Sequence, residues 1–129
     1  MNTEIRVWDP SEQHMSYSKP ELYNDSISFR FDHFGKEVYN FGDIVIMFWT
    51  GAYDRNKKKI FEGDLVRIGK EYAGYSEIPR VVEWDENNFC FGLKNAFYAS
   101  SPLSAIDLVF AYEVVGNFYE NPTLLNEEN

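Results

Sequence analysis

Short apolar runs separated by turn residues organise this chain, and most of them alternate with polar positions. In residues 4–8 and 27–31 the alternation has a period of two, which predicts strands with one solvated face. Residues 44–49 are apolar at both parities and predict a strand that is covered on both faces. Residues 108–119 alternate again, and Gly116-Asn117 within them indicates a bulge. The pattern predicts a chain built from β-strands.

Turn residues separate these runs. Residues 80–84 and 89–93 are predicted to pair as a hairpin across residues 85–88. Residues 14–18 are expected to form a return strand that ends in a loop at residues 18–20. Asn121-Pro122 predicts a capped helical turn through Leu124-Leu125 near the end of the chain. A brief helical turn is also expected near residues 103–107, and residues 32–42 are expected to be irregular.

Aromatic side chains are abundant, with 3 Trp, 9 Tyr and 11 Phe in 129 residues. Bulky aromatic and β-branched residues favour pleated, half-buried surfaces over helices. The composition therefore predicts an all-β fold with minor α content, in which the rings fill the core. The length is that of one domain, and we find no internal repeat or interdomain linker.

The formal net charge of −9 disfavours non-specific binding of polyanions. The exception is local, because Arg55, Lys57, Lys58 and Lys59 hold a third of all cations within five residues. This loop, with exposed rings such as Tyr53, Tyr72 or Tyr75, is the basis of an alternative function as a nucleic-acid-binding protein. The acidic excess supports a further alternative, an inhibitor that imitates DNA.

Groupings that would support chemistry are sparse. Asp32-His33 is a candidate for metal binding or acid–base catalysis. Neighbouring residues on a strand point to opposite faces, however, so the two side chains would not converge on one site. His14 lacks a second ligand type at a useful spacing, and Cys90 between Phe89 and Phe91 is predicted to be a buried small hydrophobe. We expect no catalytic residue, no cofactor, no metal and no small-molecule substrate. A metal-assisted hydrolase that uses Asp32, His33 and nearby Glu residues is the third class of function considered.

The expected compartment is a reducing cytoplasm. A single cysteine, Cys90, cannot form an intramolecular disulfide, and the first residues lack a basic start followed by an apolar run. The longest apolar run, residues 44–49, is too short to span a bilayer, so no membrane role is expected.

Three ordered segments go beyond generic strands and turns. They are residues 5–9 (Ile-Arg-Val-Trp-Asp), residues 49–66 with Trp-Thr-Gly and Phe-Glu-Gly-Asp, and residues 113–125 with Val-Gly-Asn-Phe-Tyr-Glu-Asn-Pro. Together they resemble the YopX family of phage and prophage proteins, whose members show R-x-W-D, TG-x-x-D-x-NGK-x-IYEGD and V-IGN-IYENPELL in this order. The matching residues are Arg6, Trp8, Asp9, Thr50, Gly51, Asp54, Glu62, Gly63, Asp64, Gly116, Asn117, Tyr119, Glu120, Asn121 and Pro122.

The sequence departs from the family pattern at several positions. Lys57 or Lys58 stands where family members have the Gly of Asn-Gly, which leaves the geometry of the turn after Asp54 open. Phe61 and Phe118 replace Tyr and Ile and keep the apolar bulk, while Thr123 replaces Glu.

The resemblance implies a single YopX-like domain over residues 1–129. It comprises an N-terminal meander (1–52), a small SH3-like barrel formed by the later strands (53–125) and a tail (126–129). It also implies a phage accessory protein made in the host bacterial cytoplasm, and motif residues that serve the architecture. Our leading hypothesis is a non-enzymatic β module that binds a protein partner or a second copy of itself.

Overall fold

The structure, a computed structural model, describes residues 4–23, 26–31, 44–72, 76–86, 90–94, 101–102 and 111–125. Within these residues it contains ten strands and one short 3-10 helix, so the all-β prediction is confirmed. The strands are β1 (Ile5–Asp9), β2 (His14–Tyr23), β3 (Ser26–Phe31), β4 (Val45–Tyr53), β5 (Lys59–Phe61), β6 (Asp64–Ile68), β7 (Arg80–Asp85), β8 (Cys90–Lys94), β9 (Ser101–Pro102) and β10 (Tyr112–Asn117), and the 3-10 helix is Pro122–Leu125.

The chain divides into two compact units, Met1–Trp49 and Thr50–Asn129. The sequence placed the division between meander and barrel after residue 52. In the first unit β1 lies between β2 and β4 and is antiparallel to both, and β3 extends the sheet beyond β2. All five residues of β1 are buried, Arg6 and Asp9 included. Ser18 fixes one end of this pairing, because its hydroxyl donates to the Ile5 carbonyl at 3.0 Å.

Strand β4 differs from the sequence-based expectation. Residues 44–49 were predicted to be covered on both faces, but only Met47 is fully buried, whereas Ile46 and Phe48 are exposed. The apolar run therefore presents two large side chains to solvent from alternate positions on one face of the strand. The prediction of a strand was correct and the prediction of two-sided cover was wrong.

Strand β2 is longer than the pattern indicated. Residues 18–20 were predicted to form a loop, but β2 continues through Pro20, which is paired with Phe29 of β3. Antiparallel pairing with β3 therefore overrides the turn preference of residues 18–20. The turn before β2 contains Gln13 with φ of 53°, and the side chain of Gln13 donates to the Pro10 carbonyl.

In the second unit the strand order is β10-β6-β7-β8-β9, with all neighbours antiparallel. The predicted β7–β8 hairpin is confirmed, and it pairs Trp84 with Phe91. The register between β10 and β6 shifts between Val114 and Gly116, so the predicted bulge is present. The core of this unit is a cluster of buried side chains: Ile60, Val66, Val82, Leu93 and Tyr112. Closure of these strands into an SH3-like barrel stays a prediction.

The aromatic side chains do not all fill the core as the composition predicted. Trp8, Phe61 and Tyr112 are buried. The prediction is wrong for six other rings, which are at least 36% exposed: Tyr17, Phe48, Tyr53, Tyr72, Trp84 and Phe118. Aliphatic residues supply most of the fully buried side chains instead. Cys90 is only partly buried, so its predicted core position is also wrong.

Several sequence-based predictions lie outside the described residues. These are the irregular segment 32–42 with Asp32 and His33, the helical turn near 103–107, the start of the last predicted strand at 108–110, Tyr75, and the tail at 126–129.

Candidate binding site at the β4–β5 hairpin tip

The basic loop is the turn between β4 and β5, and we call residues 53–59 the hairpin tip. The Asp54 amide donates to the Lys58 carbonyl at 2.8 Å, and the Lys57 amide donates to the Asp54 carbonyl at 3.0 Å. These two bonds define a three-residue hairpin loop in which the last loop residue adopts left-handed backbone. That residue is Lys57, with φ of 66°. The turn is therefore not of the tight primed type.

The Asp54 carboxylate holds this loop together. It is buried, and its Oδ1 accepts hydrogen bonds from the amides of Asn56 and Lys58, both at 2.8 Å. Its Oδ2 accepts from the Val114 amide of β10 at 3.0 Å. One side chain thus serves three backbone donors, and a buried donor left without a partner is costly.

The hairpin tip is also bound to β10 through the backbone. The Arg55 amide donates to the Tyr112 carbonyl at 2.9 Å. Together with the bond that the Val114 amide donates to Asp54, this contact extends the hydrogen bonding of β10 onto the turn. Three sets of hydrogen bonds therefore fix the loop: those within its own backbone, those to the Asp54 carboxylate, and those to β10.

Lys57 occupies the conformation that the family pattern reserves for Gly. Non-glycine residues in left-handed backbone are uncommon, and Lys has no special tolerance for it. The structure therefore assigns the departure from the family pattern to Lys57 and leaves Lys58 with ordinary backbone.

Lys57→Gly is expected to raise the free energy of unfolding by about 0.5–1 kcal/mol, because Gly adopts positive φ without steric cost. Lys58→Gly removes the same charge one residue later and is the matched control. It should leave stability unchanged or lower it slightly, since no positive φ is relieved there. Urea denaturation measures both, and equal effects in the two variants would contradict the assignment.

Arg55 forms an ion pair at the hairpin tip. Its guanidinium donates to Glu71, with Nη1–Oε1 at 3.2 Å and a second bond from Nη2 to Oε2. The hydrogen bonds from Arg55 and its positive charge hold the pKa of Glu71 below its usual value. The same hydrogen bonds and the negative charge of Glu71 raise the pKa of Arg55. The fork geometry ties the loop after β6 to the hairpin tip.

Arg55→Gln is expected to return the pKa of Glu71 toward its usual value. Because the pKa of Glu71 is lower in the folded state, the ion pair stabilises the fold at pH values above the unfolded-state pKa of this carboxyl. This stabilisation is lost as pH falls through the lower folded-state pKa. Since both side chains are exposed, the effect on stability should be small. Carboxyl ¹³C NMR titration measures the pKa directly. An unchanged Glu71 titration in Arg55→Gln would contradict the pairing.

Exposed cations and rings share the hairpin tip. Lys57 and Lys58 are exposed, and within the described part of the chain neither forms an ion pair. Tyr53 is 48% exposed and Tyr72 is 42% exposed. Tyr72 follows Glu71, which pairs with Arg55, and its amide donates to the Gly69 carbonyl. The structure thus brings Tyr72 to the loop that the sequence identified.

The motif residues of the opening segment hold strand β1 and its turn. Arg6 and Trp8 are buried at alternate positions of β1. Asp9 Oδ1 accepts from the Ser11 amide at 3.0 Å and from the Ser11 hydroxyl at 2.7 Å. The same oxygen accepts from the Glu12 amide at 3.4 Å. Asp9 therefore caps the β1–β2 turn.

The central motif residues act in the same way. Thr50 donates its hydroxyl to the Ile60 carbonyl at 2.7 Å and accepts from the Ala52 amide. Asp64 Oδ2 accepts from the Phe61 amide at 2.7 Å across the β5–β6 turn. That turn also contains Glu62 and Gly63, and both Gly63 and Gly51 have φ of +88°.

The closing motif is a network of backbone contacts. Asn117 Oδ1 accepts from the amides of Tyr119 and Glu120, and its Nδ2 donates to Glu120 Oε1 at 2.7 Å. Asn121 was predicted to cap the 3-10 helix that begins at Pro122, but its Oδ1 instead accepts from the Asn117 amide at 3.1 Å. A Cβ at Gly116 would lie 2.6 Å from this oxygen, so the position requires glycine.

The described residues do not form a grouping suited to metal binding. Within residues 4–23, 26–31, 44–72, 76–86, 90–94, 101–102 and 111–125, no cluster of three His, Cys, Asp or Glu side chains could hold a metal ion. His14 is paired with Asp9 in the β1–β2 register. In this same part of the chain, no helix has the length and apolar character that a membrane crossing needs.

Glu71 is the site residue that sequence reasoning missed. It lies 16 residues from Arg55, and no local pattern joins them. The signal available was weak: an acidic residue in a loop after the strand that follows the hairpin. The exposure of Trp84 was missed because alternation does not say which face of a strand is covered, and Phe118 lies in the turn after β10, where the sequence predicted strand.

The fold and the hairpin tip define a class of small antiparallel β protein in which buried polar side chains stabilise turns, and basic and aromatic side chains lie on the surface. The chain belongs to the YopX family, since the family model described as "YopX protein" matches residues 4–126. No curated protein matches the sequence.

Two solved structures have the same fold. The chain is similar to protein EF1440 from Enterococcus faecalis, with 19% identity, a TM-score of 0.59, and coverage of 95% of this chain and 97% of that one. It is also similar to protein yopX from Bacillus subtilis, with 20% identity, a TM-score of 0.56, and coverage of 98% and 100%.

Proposed function

We propose that this protein is a non-enzymatic β module that binds another macromolecule, either a protein partner or a second copy of itself. The observation that supports the proposal is that the motif side chains and the large aromatic side chains have different roles. The buried polar residues of the family motifs bond to nearby backbone, whereas large rings such as Phe48, Trp84 and Phe118 are exposed.

The engagement of the motif carboxylates supports the absence of catalysis. Asp9, Asp54 and Asp64 each accept at least one hydrogen bond from a backbone amide at 3.0 Å or less, and all three are buried. A general base or nucleophile must reach a substrate, and these oxygens face the protein's own turns.

The exposed rings support binding. An aromatic side chain contributes a large apolar area at low conformational cost, and interfaces are enriched in such residues. In the first unit Ile46 and Phe48 project from alternate positions of β4 and so share a face. In the second unit Trp84 is 43% exposed and packs edge-on against Phe91, with ring centroids 5.0 Å apart.

The biological setting is part of the proposal. Membership in the YopX family supports a role as a phage or prophage accessory protein that acts in the host bacterial cytoplasm. The DNA-mimic alternative has only the net charge of −9 as its support, and we do not propose it.

Sedimentation analysis over a range of concentrations, combined with pull-down from host lysate, tests the proposal. We expect self-association or a retained partner with the natural chain, and at least a tenfold loss with Phe48→Ser or Trp84→Ser. Glu12→Ser, at an exposed position, is the control and should bind normally. A strict monomer that retains no partner would contradict the proposal. Unchanged binding in both Phe48→Ser and Trp84→Ser would also contradict it.

A further inference from the structure

We propose that the hairpin tip, residues 53–59 together with Tyr72, is a separate binding site for single-stranded nucleic acid. This inference goes beyond the proposed function, because it concerns another surface and another class of partner. It begins from the two lysines at the end of the loop.

Lys57 and Lys58 are available to a polyanion. Both side chains are exposed, and the described residues provide no carboxylate partner for either of them. Lys57 also stands in left-handed backbone, with φ of 66°. The sequence therefore places a cation at a loop position where glycine would be less strained.

The loop presents these charges on a rigid support. Asp54 accepts from the Asn56 and Lys58 amides, and the Arg55 amide is bonded to the Tyr112 carbonyl of β10. Because the backbone is already ordered, little conformational entropy is lost when a ligand binds.

Two exposed tyrosines accompany the cations in this part of the fold. Tyr53 begins the hairpin tip, and Tyr72 directly follows Glu71, which pairs with Arg55 of the tip. Both rings are more than 40% exposed. Cations that neutralise phosphates, next to rings on which bases stack, are the combination that single strands require.

Net charge and the exposed rings together favour a single strand over the other polyanions. The chain carries −9, so a duplex, with two phosphate backbones and no exposed base faces, is repelled by the acidic remainder. A single strand reaches the tip with fewer phosphates and can stack on Tyr53 and Tyr72. An acidic protein segment would use the lysines but would gain little from the rings.

Fluorescence anisotropy with a labelled oligothymidine about 12 nucleotides long tests this site. We expect binding at low salt that weakens as salt rises. Lys57→Gly combined with Lys58→Ala should reduce the slope of log K against log salt by about 0.7 per lysine. Tyr72→Ala should weaken binding about tenfold or more. Lys57→Gly removes a cation and should make the fold more stable, so its weaker binding cannot be attributed to unfolding.

Arg80→Ser on β7 removes a cation two strands away from β10 and should leave oligothymidine binding unchanged. Absence of oligothymidine binding at low salt would overturn the inference. The inference would also be overturned if Arg80→Ser weakened oligothymidine binding as much as the lysine variants do. It would likewise be overturned if polyglutamate bound as tightly as oligothymidine and Tyr72→Ala did not weaken that binding. None of these outcomes bears on self-association through Phe48 or Trp84, which is measured independently.

Discussion

Replacing Asp54 with Ala is expected to lower the free energy of unfolding by about 3 kcal/mol, because three backbone amides lose a buried acceptor. Two of these amides form the hairpin tip, and the third belongs to Val114 of β10. The loss should therefore loosen the turn and its attachment to β10 together. Urea denaturation monitored by circular dichroism measures the change.

Asp54→Asn separates the charge from the geometry. One carboxamide oxygen can still accept from the Asn56 and Lys58 amides, but the NH₂ group then faces the Val114 amide, donor against donor. We expect about half of the Ala effect. Glu86→Ala removes an exposed carboxylate from the turn after β7 and should change stability by less than about 0.5 kcal/mol. An Asp54→Ala protein as stable as Glu86→Ala would contradict the role given to Asp54.

Ile60→Ala is expected to lower the free energy of unfolding by about 3–4 kcal/mol. Ile60 is fully buried in the core cluster of the second unit, where it lies among Val66, Val82 and Leu93. Removal of three carbon atoms there sacrifices transfer free energy and leaves a cavity that a close-packed interior refills only in part. Thermal or urea unfolding of the variant measures the loss.

Ile68→Ala provides a graded control for that measurement. Ile68 packs against the same cluster but is only partly buried, so the deletion exposes less new cavity surface. We expect less than half of the Ile60 effect. Equal losses at the two positions would indicate that burial does not determine the stability of this unit.

Local sequence signals predicted the strands well where turn chemistry and alternation agree. The β7–β8 hairpin and the bulge before Gly116 are both present. Each depends on residues that are close in the sequence, and backbone preferences act over that distance. The strand through Pro20 was missed because pairing with β3, a tertiary effect, overrides the turn preference of Pro.

Burial was harder to predict than strand position. Ile46 and Phe48 are apolar and exposed, whereas Arg6 is polar and buried. Which face of a strand is covered depends on elements that the alternation of that strand does not encode. The aromatic composition gave the fold class correctly, but it did not indicate that rings such as Trp84 lie on the surface.

The candidate site was predicted in part. The cationic loop and Tyr53 were evident from the sequence, and family comparison pointed to an unusual residue at the turn. The left-handed backbone of Lys57 and the approach of Tyr72 required the structure. Glu71 reaches Arg55 only because β6 returns the chain to the hairpin, which is a property of the fold and not of the local sequence.

Amide hydrogen exchange, measured by NMR on the natural chain and on Asp54→Ala, tests most directly whether the family's polar residues maintain architecture. The account predicts slow exchange at the Asn56, Lys58 and Val114 amides in the natural chain. It predicts that all three lose protection together in Asp54→Ala, in excess of any general loss. Unaltered protection at these amides would show that the Asp54 carboxylate is not what holds the turn, and would leave it available for chemistry.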